Sequence, residues 1–408
     1  MWERFSFYGM QAILVYYMIK QLQFSQEKAS NVWGLYTGFV YFTPFFGGLL
    51  ADKVLGQRKT VILGGVIMAV GHFMLAVQSL FYPALICLIV GCGALKPNIS
   101  TQVGSLYAEH DPRRDRAFSL FYLGINIGAF FSPLVCGTLG ETLGWHYGFA
   151  VAGVGMIVGL VIYLWGQKHL APDALSRHKA GSMAHVPLTA MERKRLYALL
   201  VLCVLNILFW VAYEQQGNTL ALWADAQTDR RLFGGSWAMP ASWFQAINPA
   251  FMFVLTPFLC WFWARQAARK AEPSSISKMA MGSGFLALAF LPMLAAARQA
   301  AANPGSLTSS WWLIACLFFM TVGELYLSPI GLSLVTKLSP PRLVSRMMGL
   351  WFLSYFGGGY LSGLVGTLWE KIPKTDFFLW MAAVAALGGV SIVLVAKPIH
   401  RAVGDLDQ

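Results

Sequence analysis

The stretch Gln167-Lys168-His169-Leu170-Ala171-Pro172-Asp173, which runs on through Arg177 and Lys179 to Pro187 and Glu192-Arg193-Lys194-Arg195, stands apart in this 408-residue chain. It is polar, holds Pro172 and Pro187, and carries six basic residues. On either side the character changes at once, to the apolar runs 146–166 and 196–222. Working outward, similar runs recur near 2–19, 29–51, 60–80, 82–107 and 117–139 on one side. On the other they lie near 241–263, 279–297, 311–336, 347–369 and 376–396. A helix of about 20 apolar residues crosses a hydrocarbon layer of roughly 30 Å. The runs therefore predict twelve membrane-spanning helices, six before the polar stretch and six after it. The expected division is an N-terminal six-helix bundle over 1–166, a cytoplasmic linker over 167–195, and a C-terminal six-helix bundle with a short tail over 196–408.

The composition agrees. Hydrophobic residues make up 57% and charged residues only 12%, against about 25% charged in an average soluble chain. Disorder and a disulfide scaffold are excluded. The formal charge of +12 would suit a nucleic-acid binder if the basic residues shared one folded face. They do not. With the first residue inside, the inner loops and tail hold 21 Lys and Arg and the outer loops seven. That asymmetry is the positive-inside signature, and it predicts a multi-pass protein of the inner (plasma) membrane with both termini cytoplasmic. The lipid bilayer is thus a partner, and nucleic acid is not. Met1 opens directly on the first run and reads as an internal residue of a longer chain.

Enzyme chemistry finds no footing here. The six cysteines all lie within runs, form no C-x-x-C pair and read as small buried apolar residues. The seven histidines form no metal-ligand cluster. His72, inside the third run, reads as a packed, hydrogen-bonded core residue.

Ionisable residues inside the runs are more informative, since each costs about 2.5–3.5 kcal/mol to insert at a helix centre. Five stand out: Glu3 and Arg4 in the first run, Lys96 in the fourth, Glu214 in the seventh and Glu324 in the tenth. Several lie beside prolines, in Lys96-Pro97, Glu324 before Ser328-Pro329, and Asn248-Pro249. A proline removes one backbone donor and frees the carbonyl four residues earlier. Irregular backbone at membrane depth is tolerated only against protein or a water-lined cavity. These segments are expected to line a path for a solute.

The motifs then resemble a known family. Gly47-Gly48-Leu49-Leu50-Ala51-Asp52-Lys53-Val54-Leu55-Gly56-Gln57-Arg58 resembles the loop between spans 2 and 3 of major-facilitator proteins. Its glycines permit close helix approach, and Asp52 and Arg58 are placed to pair at a cytoplasmic gate. Phe118 to Phe130, with Asn126 and Gly128, resembles the span-5 signature of the proton-dependent oligopeptide transporter (POT/PTR) family. Glu3-Arg4-Phe5-Ser6-Phe7-Tyr8-Gly9 is similar to the end of that family's E-x-x-E-R-F-x-Y-Y-G motif. Leu95 to Ser100, Glu214-Gln215, Phe244 to Pro249, Gly323 to Pro329 and Met348 to Leu353 fit the same family in the same order.

The resemblance implies an all-α major-facilitator fold, with two six-helix bundles around a central cavity. It also implies a non-enzymatic function: proton-coupled symport of di- and tripeptides into the cytoplasm by alternating access, with protons as the coupling ion, no cofactor, and a functional monomer. By the same resemblance Glu3, Arg4, Lys96 and Glu214 handle the proton, with Lys96 and Glu214 as a pair linking the halves. Asn126, Asn248 and Glu324 hold the peptide's amino end, and Lys96 meets its carboxylate. Tyr8, Trp351, Ser328 and either Tyr36 or Tyr41 line the pocket. Three departures bear on this. Phe7 replaces a tyrosine, and Gln11 replaces an arginine that clamps the peptide carboxylate in many members. The linker is also too short for two extra helices found in many bacterial members. Gln11 is the best support for an alternative, a transporter of the same fold carrying a drug, nitrate or a modified amino acid.

Overall fold

The computed structural model describes residues 1–106, 113–170, 188–231, 235–340 and 343–403. Each of the twelve apolar runs is helical. The first half contains α1 (Trp2–Lys20), α2 (Gln26–Phe42) continued by α3 (Pro44–Leu50), and α4 (Gln57–Met74). It goes on with α5 (Phe81–Ser105), α6 (Arg113–Ser132) continued by α7 (Thr138–Thr142), and α8 (Trp145–Gly166). The second half contains α9 (Ala190–Tyr213) continued by α10 (Thr219–Ala226), α11 (Phe244–Ala268) and α12 (Ser275–Ala302). It ends with α13 (Ser310–Leu338), α14 (Val344–Gly366) and α15 (Lys374–Val403).

Among the described residues, eight helical stretches are long and apolar enough to cross a membrane. The runs expected at 2–19, 29–51, 60–80 and 347–369 are helical but fall short on that measure. Their sequences show why: α1 opens on Glu3-Arg4, α2 breaks at Thr43-Pro44, α4 opens on Arg58-Lys59, and α14 is rich in glycine. The fold is otherwise all-α, apart from the two-residue strands β1 (Thr228–Asp229) and β2 (Thr308–Ser309). These pair in parallel with Thr228 opposite Thr308.

The helices group into two compact units, Met1–Phe24 with Tyr36–His185, and Ser25–Leu35 with Val186–Gln408. The start of α2 therefore groups with the second unit, although it precedes residue 166 in the chain. Small residues explain the grouping. A Cβ on Gly34 would lie 2.6 Å from the Gly363 Cα and 2.8 Å from the Tyr360 carbonyl oxygen, so only glycine allows α2 and α14 to meet there. Buried hydrogen bonds fasten the contact: the Gln26 amide donates to the Gly366 carbonyl (2.8 Å), and the Ser30 hydroxyl to Asn218 Oδ1 (3.0 Å). Of the expected linker 167–195, residues 171–187 lie outside the described residues. Its last part is helical, because Thr189 and Glu192 form a reciprocal capping box that starts α9 at Ala190 rather than at 196.

Two core expectations are corrected. His72 is fully buried, but neither ring nitrogen has a hydrogen-bond partner among the described residues. The cysteines are not uniformly buried: Cys92, Cys136, Cys203 and Cys316 are, whereas Cys260 is exposed, its face of α11 shared with the exposed Phe253.

Candidate functional site

In the first unit the chemistry begins at the opening turns of α1. Arg4 is held by its chain neighbour: its Nε reaches Glu3 Oε2 and its Nη2 reaches Glu3 Oε1, both at 2.5 Å. The guanidinium also stands 5.0 Å from the Phe7 ring centre and 5.8 Å from that of Tyr8. A two-pronged carboxylate grip with two aromatic rings close by suits a buried arginine. It also means that Arg4 is already committed to Glu3.

Lys96 lies on α5 directly before Pro97, with its ammonium 4.0 Å from the Tyr41 ring centre. Of the two candidate tyrosines on α2, Tyr41 is thus the one beside the lysine. Tyr36 is instead buried against Phe7, with ring centres 6.4 Å apart and a hydroxyl that has no hydrogen-bond partner among the described residues. The proline's effect on its helix is legible in the packing. Pro97 leaves the Gly93 carbonyl without its helical donor, and the backbone of Gly47 on α3 packs directly on that carbonyl, where a Cβ would collide. Asn98 ties the same place together, its amide donating to Gly47 O (3.2 Å) and Ala94 O (2.7 Å).

The remaining first-unit residues are placed less centrally. Asn126 donates to the Tyr122 carbonyl of its own helix (3.0 Å). Gln11 is half-buried and makes no hydrogen bond among the described residues. The Asp52–Arg58 pairing expected of the loop motif is not formed. A π-type turn over Ala51–Leu55 and the left-handed Gly56 leave Asp52 exposed, and Arg58 donates to the Leu170 carbonyl at 2.5 Å.

The second unit gathers its polar groups around Glu324. The Tyr213 hydroxyl donates to Glu324 Oε2, and the Asn248 amide reaches the same oxygen at 3.2 Å. Asn248 also donates to the Tyr213 hydroxyl (3.0 Å) and to Thr321 Oγ1 (3.1 Å). α9, α11 and α13 thus converge on one carboxylate oxygen. The other, Oε1, makes no hydrogen bond among the described residues. Ser328, one turn further along α13, has a buried hydroxyl with no partner among the described residues. A carboxylate with one oxygen anchored by neutral donors and the other unengaged is suited to accept a cationic N–H group.

Glu214 directly follows Tyr213, at the point where α9 gives way to a 3₁₀ turn, Glu214–Gly217. Lys96 and Glu214 belong to different units. Gln215 anchors the turn, donating to the Ser362 carbonyl (3.0 Å) and hydroxyl (3.2 Å) and accepting from Thr219 (2.9 Å). Trp351, expected to line a pocket, is fully buried. Its indole covers Gly331 of α13, where any side chain would strike the ring.

Tyr213 and Thr321 were not legible as site residues. Tyr213 is flagged only by standing beside Glu214, and Thr321 only by lying one turn before Glu324.

Comparison with known proteins identifies the family. The family model described as "PTR2: POT family" matches residues 58–186 and 175–386. The chain is 33% identical to the peptide transporter YePEPT of Yersinia enterocolitica, over 98% of this chain and 93% of that one. It is 29% identical to a di-/tripeptide transporter of Lactococcus lactis subsp. cremoris, over 99% and 95%. A crystal structure of a peptide transporter POT in complex with sulfate superposes with a TM-score of 0.89 at 31% identity, covering 98% of this chain and 93% of that chain. These relatives are transporters and not enzymes: the chain belongs to the POT family and has the major-facilitator fold.

Proposed function

We propose that this protein is a proton-coupled symporter of di- and tripeptides. It imports them into the cytoplasm by alternating access, as a monomer in the inner membrane with both termini cytoplasmic. The observation that carries the reading is Glu324, whose Oε2 is fixed by Tyr213 and Asn248 while Oε1 is unengaged. A peptide ammonium needs such an acceptor, and a charge-assisted hydrogen bond to it contributes about 1.5–3 kcal/mol. Lys96 supplies the complementary cation for the peptide carboxylate, because Arg4 is occupied by Glu3. Asn126, Tyr8 and Tyr41 join the peptide site in this reading, and Glu3, Arg4 and Glu214 serve the proton.

The named relatives support the solute class, since YePEPT is a peptide transporter and the Lactococcus protein a di-/tripeptide transporter. Gln11 favours a second reading, a related solute whose carboxylate is not clamped by arginine. A POT family transporter structure at 26% identity holds 5-aminolevulinic acid. Uptake of labelled dialanine into proteoliposomes under an imposed inward proton gradient tests the first reading. Accumulation that collapses with a protonophore is the expected result. Accumulation of 5-aminolevulinic acid or nitrate without competition from dialanine would favour the second.

A further inference from the structure

Tyr213 adjoins Glu214 along the chain and touches Glu324 in space. Along the chain it is the last residue of α9, and Glu214 begins the 3₁₀ turn that follows. In space its hydroxyl donates to Glu324 Oε2 and accepts from the Asn248 amide at 3.0 Å. The ring is held by aromatic neighbours on its own helix, stacked on Phe209 with centres 5.7 Å apart and edge-on to Trp210 at 5.1 Å. Trp210 in turn stacks on Tyr355 of α14 at 4.1 Å. The far side of the turn is fixed as well, by Gln215 on Ser362. Glu214 thus lies between Tyr213, whose hydroxyl bonds Glu324, and Gln215, which bonds Ser362.

From this geometry we infer that Tyr213 is a positioning residue, through which the state of Glu214 sets the orientation of Glu324 and hence the hold on the peptide's amino end. The inference rests on the proposed roles of Glu214 and Glu324 and adds a physical link between them. When Glu214 changes partner, the last turn of α9 shifts and the phenol moves with it. Glu324 then loses one of the two donors that fix Oε2, and its carboxylate is free to rotate. Neutral hydrogen bonds suit this task. A phenol and an amide can be exchanged for water or ligand without uncovering a charge, whereas a lysine in the same place would compete with the peptide ammonium.

The test is Tyr213→Phe, which keeps the ring and its stacking and removes only the hydroxyl. In proteoliposomes the variant should exchange dipeptide by counterflow at close to the wild-type maximal rate, with KM for free-amino dipeptides raised about tenfold, the equivalent of one hydrogen bond to a charged group. N-acetylated dipeptides should keep their KM, and gradient-driven accumulation of ordinary dipeptides should fall. In a Glu324→Gln background, Tyr213→Phe should add nothing further to KM, since it acts through that carboxylate. An unchanged KM for free-amino dipeptides, equal losses for free and acetylated peptides, or additive effects in the double variant would each overturn the inference. Failure of the wild-type protein to accumulate any dipeptide would instead overturn the proposed function, so the two failures are told apart.

Discussion

Gly34→Ala is a small change with a large expected cost, and the geometry gives its size. The new Cβ would lie 2.6 Å from the Gly363 Cα, 2.8 Å from the Tyr360 carbonyl oxygen and 2.9 Å from the Gly363 nitrogen. Carbon atoms rest at about 3.5–4.0 Å from one another, so the first half of α2 must lift from α14 by about 1 Å. All three obstructing atoms are backbone, so no side chain can turn aside. Overpacking of this kind costs about 1–3 kcal/mol. The lift also stretches the buried bonds from Gln26 to Gly366 and from Ser30 to Asn218, each contributing about 0.5–1.5 kcal/mol. The total is about 2–6 kcal/mol, which at roughly 2–4 °C per kcal/mol for a unit of this size lowers the unfolding temperature by about 4–24 °C. Gly48→Ala is the control: it is also helical, but a Cβ there would meet nothing within 4 Å. Glycine within a helix costs about 0.5–1 kcal/mol relative to alanine, so that variant should be neutral or slightly stabilised. Thermal unfolding of the purified protein, followed by tryptophan fluorescence, reads both. Equal unfolding temperatures for Gly34→Ala and Gly48→Ala would refute the steric reasoning.

Other substitutions test other parts of the molecule. His72→Leu removes two buried ring nitrogens that have no partner among the described residues; since an unsatisfied buried polar group costs about 1–3 kcal/mol, the unfolding temperature should rise, and a fall would show that the imidazole is needed. Gln11→Arg should tighten binding of free-acid dipeptides about tenfold or more, as one charged hydrogen bond would, while leaving dipeptide amides nearly unchanged in a competition assay; a similar response from both would place the peptide carboxylate away from α1. Glu214→Gln should abolish gradient-driven uptake and leave counterflow exchange largely intact, and driven uptake that survives would remove Glu214 from the coupling role.

The fold was legible because membrane crossing imposes length and apolarity on every span, and because polar connections cannot hide in lipid. The start of α9 was missed, because an apolar window alone begins the run six residues late; the signal that marks it is the capping-box spacing of Thr189 and Glu192. What pattern could not reach was the side-chain geometry between helices. Nothing in the spacing says that the Tyr213 hydroxyl meets Glu324, because the two lie 111 positions apart. Nor does it say that Arg58 turns to the Leu170 carbonyl and leaves Asp52 exposed. Opposite charges six residues apart suggest a pair, but the π-type turn between them sets the faces. Trp351 is a similar case. An aromatic in a family motif suggests a pocket wall, whereas the absence of a side chain at Gly331 creates the slot that buries it.

The intramembrane charges suggest why a proton should travel with the solute at all. Glu3 and Arg4 cancel within one bidentate pair. That leaves Lys96 in the first unit against Glu214 and Glu324 in the second, a set that is one negative charge in excess when all three are ionised. A zwitterionic dipeptide brings no net charge of its own, so it cannot correct the imbalance. On the proposed reading its ammonium serves Glu324 and its carboxylate serves Lys96, and neither end neutralises the half-buried Glu214. One proton on Glu214 would supply that neutrality and bring these three groups to zero net charge. A membrane potential of about 100 mV then adds roughly 2.3 kcal/mol for each inward proton, enough for nearly 50-fold accumulation before any pH difference. On this argument the proton is not an additional passenger. It fills the one charge that the peptide cannot supply, and Glu214→Gln, by supplying neutrality permanently, should leave a protein that exchanges peptide but no longer concentrates it.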